Sequence, residues 1–223
     1  MLADAHTHGE HHPALQHHFE DLEQQFEASG LGMWVFLVTE VMFFGGLFMA
    51  YIVYRTWYPQ AFAEGSRHLD ITLGGVNTGV LIASSLTMAM AVWAGQQGSR
   101  KWQVIYLALT LLFGLGFLGI KAVEYAEKFR DHLVPGPGFE WHGAANPANV
   151  QMFYSLYFAL TGLHALHMII GAGLIIFLMV MAARGRFTRE WSTPLEVGGL
   201  YWHFVDIVWI FLFPLLYLIE RHY

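Results

Sequence analysis

The chain has 223 residues, is 56 % hydrophobic, only 13 % charged, and carries a formal charge of −6. A soluble domain would hold about 25 % charged residues, so the composition is that of a membrane protein. Its 11 lysines and arginines form no long basic run and it has no cysteine, which argues against nucleic-acid binding and excludes disulfides, thiolate metal sites and Cys-x-x-Cys-His haem attachment.

Residues 1–28 form a polar tail rich in histidine: His6, His8, His11, His12, His17 and His18. Neutral imidazoles are good metal ligands, but this composition reads first as a disordered polar segment. At its end Phe19, Leu22 and Phe26 fall at helical spacing among Glu20, Asp21, Glu23 and Glu27. That pattern predicts a short amphipathic helix lying at the membrane interface or against a partner.

Five apolar runs follow, at 31–54, 73–95, 102–122, 152–183 and 197–219. Each reaches the ~20 residues that a spanning helix needs, and barrel strands would be far shorter. Residues 29–223 therefore read as one all-α domain, a polytopic bundle of five transmembrane helices. The first run is too long for a signal-peptide core.

Within 31–54 the one acidic or basic residue is Glu40. At ~1.5 Å per residue it lies ~14 Å from the start of the run, close to the midplane of a ~30 Å hydrocarbon core. A carboxyl at that depth must face protein or a polar cavity, and its expected state is neutral and hydrogen-bonded. In the second run Asn77, Thr78, Ser84, Ser85 and Thr87 read as interhelical hydrogen-bonding groups. Gly75 with Gly79, and Gly114, Gly116 and Gly119 in the third run, predict close helix approach.

Lys121 and Glu124 end the third run in GIKAVEY, spaced for an ion pair at the membrane edge. The helix is expected to continue through EYAEKFRDHL until VPGPG at 134–138 and Asn146-Pro147 break it. His164 and His167 stand one turn apart in the fourth run. Two histidines on one face invite a haem or copper reading, yet neighbours on one helix cannot ligate both faces of a haem. Histidines bonded to neighbouring helices or to a partner subunit are the preferred reading.

In the fifth run His203 and Asp206 lie three residues apart on one face, and Asp206 shares the depth of Glu40 if both helices start on the same side. Such a pair could relay protons or support a metal ligand, but a hydrogen-bonded pair stabilising the core is the simpler expectation. Pro214 predicts a kink near the far end. No nucleophile–base set, phosphate loop or convincing metal constellation emerges, so no catalytic and no metal-ligating residue is assigned. Loop charges nearly balance on the two sides and leave the orientation open.

The segments TEVMFFGGLFMAYIVYR, GIKAVEYAEKF, FYSLYFALTGLHALHMIIG and YWHFVDIVWIFLFPLLYLI, in this order on four different spans, resemble subunit III of haem–copper respiratory oxidases. The resemblance covers nearly all of 29–223 and is closest to the five-helix bacterial form. It implies an accessory subunit of a proton-pumping terminal oxidase that reduces O2 to water. That subunit packs on the catalytic subunit I, supports proton uptake and sustained turnover, and contacts other oxidase subunits and membrane lipids. It further implies that haem and copper reside in the partner subunits, that none is bound by this chain, and that phospholipid is bound. Glu40 matches the family's buried, carbodiimide-reactive carboxylate. The implied location is the bacterial cell membrane, with the amino terminus cytoplasmic and the carboxyl terminus outside. The implied electron donor is cytochrome c, reached directly or within a respiratory supercomplex. Quinol oxidases and the related protein that accompanies some nitric oxide reductases are the near alternatives. An independent proton or ion carrier centred on Glu40, His203 and Asp206, and a b-type cytochrome, are the distant ones.

Overall fold

The structure is a computed structural model that describes residues 15–189 and 191–218. Among the described residues it holds helices and turns and no strand. The helices are α1 Leu22–Trp57, α2 Pro59–Arg67, α3 Ile71–Gln96, α4 Arg100–Arg130, α5 Pro147–Ala183 and α6 Thr193–Phe213, followed by a π-helical turn at Pro214–Leu218. Five of these are long and apolar enough to cross a membrane, with the fifth span running through the π turn.

Local chemistry explains where the helices begin. The Asp21 carboxylate accepts from the Gln24 amide at 2.7 Å, and Asp70 accepts from Thr72 and Leu73 at 2.7 and 3.1 Å. Asn146 accepts from Ala148 at 2.9 Å, with Pro147 directly after it. Each oxygen satisfies amides that have no intrahelical partner, and proline's fixed φ suits the first helical position. The tight turns at the other ends carry Gly98 and Gly185 at φ 69° and 68°, a left-handed geometry costly for a residue with a Cβ.

Packing forms a closed ring in which α3 touches α4 and α6, and α5 touches the same two helices. Helix α1 docks outside this ring against α5 and α6, and α2 lies across the end of α5 and the π turn. α6 is the most buried of the spans and α1 the least. α1 accordingly shows Trp34, Val38, Met42 and Met49 to its surroundings, a distribution suited to lipid or to another subunit.

Several expectations change. The segment around Phe19, Leu22 and Phe26 is no separate amphipathic helix; from Leu22 onward it is the first part of α1, which runs without a break into the span. His6, His8, His11 and His12 lie outside the described residues, while His17 and His18 are exposed. α2 had no apolar run to announce it. It is held by Lys128, whose Nζ donates to the His68 carbonyl at 2.7 Å, and by Glu64, which accepts from the Ala145 amide at 3.0 Å. Of the glycines expected to admit a neighbour, Gly114 does so closely, against Trp202, while Gly75 reaches only the tip of Phe213 at 4.0 Å. A Cβ at Gly79, Gly116 or Gly119 would meet nothing within 4 Å.

Pro214 ends the regular α6 helix, because it lacks the amide that would continue the hydrogen-bond ladder, and the chain widens into the π turn. The Tyr51 hydroxyl of α1 donates to the Leu215 carbonyl at 2.9 Å and ties this turn to α1.

Candidate functional site

Glu40 points toward α5, where its Oε2 lies 3.0 Å from His167 Nε2. The two side chains keep 17 % and 11 % of their surface, so the pair is largely enclosed but not sealed. The other ring nitrogen, Nδ1, lies 2.9 Å from the Leu163 carbonyl. A carbonyl can only accept, so Nδ1 carries a hydrogen. The Glu40–His167 contact then holds one proton in either of two arrangements: a carboxylic acid donating to neutral Nε2, or an imidazolium donating to carboxylate. Phe44 packs on the His167 ring with centroids 5.4 Å apart, and the Tyr201 hydroxyl donates to the His167 carbonyl at 3.1 Å.

Both His167 nitrogens are thus engaged, and the ring has no free lone pair for a metal. His164 is fully buried between Phe117 and Trp209, at ring distances of 5.3 and 5.2 Å, with neither nitrogen hydrogen-bonded among the described residues. The two histidines share a helix but not a site. Among the described residues no group of three or more histidine or acidic side chains is placed to hold a metal ion.

His203 and Asp206 do not form the expected mutual pair. His203 Nδ1 instead meets the Ser85 hydroxyl of α3 at 2.7 Å, whereas neither Asp206 oxygen has a hydrogen bond within 3.5 Å among the described residues and the residue is 3 % exposed. Three residues on a helix place two side chains on one face, but each can turn toward a different neighbour. Three of the other α3 polar groups, Ser84, Thr78 and Thr87, bond neighbouring helices as expected. Ser84 accepts from Trp202 Nε1 at 3.0 Å, Thr78 accepts from Trp209 Nε1 at 3.1 Å, and Thr87 bonds Thr110 at 2.8 Å. Asn77 departs from that expectation: it is buried with no hydrogen-bond partner among the described residues.

Lys121 and Glu124 do pair, at 2.8 Å, but not at an open edge, since their side chains keep only 4 % and 1 % of their surface. α4 continues two turns beyond them, and Tyr157 of α5 and Tyr217 of the π turn close over the pair. Both tyrosine hydroxyls donate to Glu124 Oε1, Tyr157 at 2.8 Å and Tyr217 at 2.5 Å. Lys121 Nζ spends its three donors on Glu124 and on the two tyrosine oxygens, at 2.8, 3.2 and 3.0 Å.

These features define a polytopic membrane bundle with a hydrogen-bonded acid–imidazole pair between α1 and α5 and a buried ionic cluster among α4, α5 and the π turn. Comparison with known proteins gives the family. The family model for cytochrome c oxidase subunit III matches residues 2–130 and 133–220. Cytochrome c oxidase subunit 3 of Corynebacterium diphtheriae is 36 % identical over 196 residues, covering 85 % of this chain and 87 % of the relative. Cytochrome c oxidase subunit 3 of Synechocystis is 35 % identical over 193 residues, covering 84 % and 74 %. Quinol oxidase subunit 3 of Bacillus subtilis is 31 % identical over 188 residues, covering 84 % and 85 %. The chain belongs to the cytochrome c oxidase subunit III family.

Proposed function

We propose that the chain is a non-redox accessory subunit of a proton-pumping haem–copper oxidase that takes electrons from cytochrome c and reduces O2 to water. Its place is the bacterial cell membrane, with the amino terminus on the cytoplasmic side. It packs on the catalytic subunit, which holds the haem and copper, and supports proton uptake there. The observation that carries this reading is the Glu40–His167 pair, which keeps one proton at a partly open position on the flank of α1. Such a pair can hold and exchange a proton. Acyl chains of phospholipid fit the apolar clefts along α1, one of about 540 Å3 lined by Phe44, Phe204 and Phe211, the other of about 550 Å3 lined by Trp34, Val92 and Leu200.

The test is Glu40→Gln in the purified complex. The amide still reaches His167 Nε2, so assembly is expected to be intact and initial O2 consumption to stay within about twofold of the parent. Abolished O2 reduction in that variant would make Glu40 a catalytic group and sink the reading. The purified complex is expected to show haem bands and to oxidise reduced cytochrome c; a Soret band from this chain alone would establish a b-type cytochrome instead. A quinol donor is the second reading, favoured by the relatives named quinol oxidase subunit 3, and faster turnover with quinol than with cytochrome c would select it.

A further inference from the structure

Neither the helix ring nor the Glu40–His167 pair uses the outward face of α3. Gly75, Gly79, Ile82, Leu86 and Ala89 follow at steps of four, three, four and three residues, and so line one stripe of the helix, where all five are exposed. A Cβ at Gly79 would meet nothing within 4 Å, and one at Gly75 would touch only the tip of Phe213 at 4.0 Å. Small residues four apart in a membrane helix admit another helix at close range. Among the described residues no helix of this chain takes that place.

A second observation lies beside the stripe. α3 and α6 leave between them a groove of about 380 Å3, whose walls include Ile82, Ser85, Leu86, His203, Asp206 and Ile210. Its polar groups are unequal. Ser85 and His203 bond each other, whereas Asp206, at 3 % exposure, has no hydrogen bond within 3.5 Å to either oxygen among the described residues, and the single hydroxyl of the nearby Ser85 can serve at most one of the two. A buried carboxyl without a hydrogen-bond partner is costly, and native structures almost always supply one. An acyl chain has no donor to give. A helix that presents a hydroxyl, amide or cationic side chain at this depth does.

We propose that the groove seats one transmembrane helix of another oxidase subunit, with its backbone against Gly75 and Gly79 and a hydrogen-bond-donating side chain on Asp206. This rests on the oxidase-subunit reading and adds to it the face that is covered and the chemistry that covers it. The stripe from Gly75 to Ala89 is ~21 Å long, four helical turns and most of a ~30 Å hydrocarbon core. That length suits a spanning helix better than a loop.

The experiment places a benzophenone amino acid at Ile82 in the whole complex, irradiates it in native membranes, and identifies the adduct by mass spectrometry after purification. The expected adduct is with one oxidase subunit that co-purifies with haem. Asp206→Leu is expected to lower its yield about tenfold, and Asp206→Asn, whose amide oxygen still accepts, to retain it. Gly79→Leu, whose Cβ would meet nothing of this chain within 4 Å and whose side chain fills the open stripe, is expected to lower the yield as Asp206→Leu does. Phospholipid adducts alone at Ile82, or an undiminished yield in both Asp206→Leu and Gly79→Leu, overturn the inference. If a haem-bearing complex is recovered and Ile82 meets only lipid, this inference fails alone. A chain that purifies without any haem protein overturns the oxidase reading, and the inference falls with it.

Discussion

Lys121→Met is expected to destabilise the folded chain by about 3–5 kcal/mol, the typical cost of removing one partner from a buried ion pair. The reason is geometric completeness. Nζ uses all three donors, and Glu124 accepts from Lys121, Tyr157 and Tyr217 together. The ammonium also lies 5.1 to 5.7 Å from the ring centres of Tyr157, Trp209, Tyr125 and Tyr217, so aromatic faces surround it on several sides. Without the cation, Glu124 is left as a buried acid that water cannot reach. Glu124→Gln alone should cost a similar amount, because it leaves the ammonium unpaired. The double variant Lys121→Met, Glu124→Gln removes both charges and keeps an acceptor for the tyrosines, and it should regain at least half of the single-variant loss. Thermal unfolding followed by circular dichroism measures all three variants. If the double variant is as unstable as the sum of the singles, the two residues act independently and the account of the cluster is wrong.

This cluster also shows how far the sequence can be read. The spacing of Lys121 and Glu124 announces an ion pair, and the structure contains it. Its burial was not legible, because that depends on Tyr157 and Tyr217, which are 33 and 93 residues away from Glu124 along the chain. The five spans were legible for the opposite reason: hydropathy is local, and the lipid core demands about 20 apolar residues wherever the chain crosses. α2 was not, since a nine-residue helix held by Lys128 and by the Ala145 amide has no periodic signature long enough to detect.

The candidate site divides along the same line. Glu40 stands out in sequence as a lone carboxyl, and His167 as a histidine bonded to a neighbour. That each is the other's partner depends on α1 docking outside the ring against α5, a long-range choice that the apolar pattern does not encode. His203 and Asp206 show the converse error, in which sequence proximity suggests a bond and the geometry sends His203 to Ser85 instead. The sequence places Asp206 at the depth of Glu40, but depth fixes only one coordinate. Position around the helix decides the contact.

Trp202→Ala is expected to cost about 3 kcal/mol or more, because this side chain is the wedge on which three helices close. It is 1 % exposed, its Nε1 donates to Ser84 of α3, and its ring lies against Gly114 of α4 and Gly171 of α5. A Cβ at Gly114 would stand 2.8 Å from the ring and one at Gly171 2.9 Å, so both glycines exist here as room for the indole. Lipid tails are as apolar as the core, so the loss comes from forfeited packing and the Ser84 hydrogen bond more than from exposure to water. Gly171→Ala should cost about 1–3 kcal/mol by overpacking. The two sites must then be coupled: Trp202→Phe shortens the ring and should relieve much of the Gly171→Ala penalty, giving a double variant more stable than the sum of the singles predicts. Strict additivity in the measured unfolding free energies would mean that the indole does not rest on Gly171, and that the ring of helices closes on some other side chain.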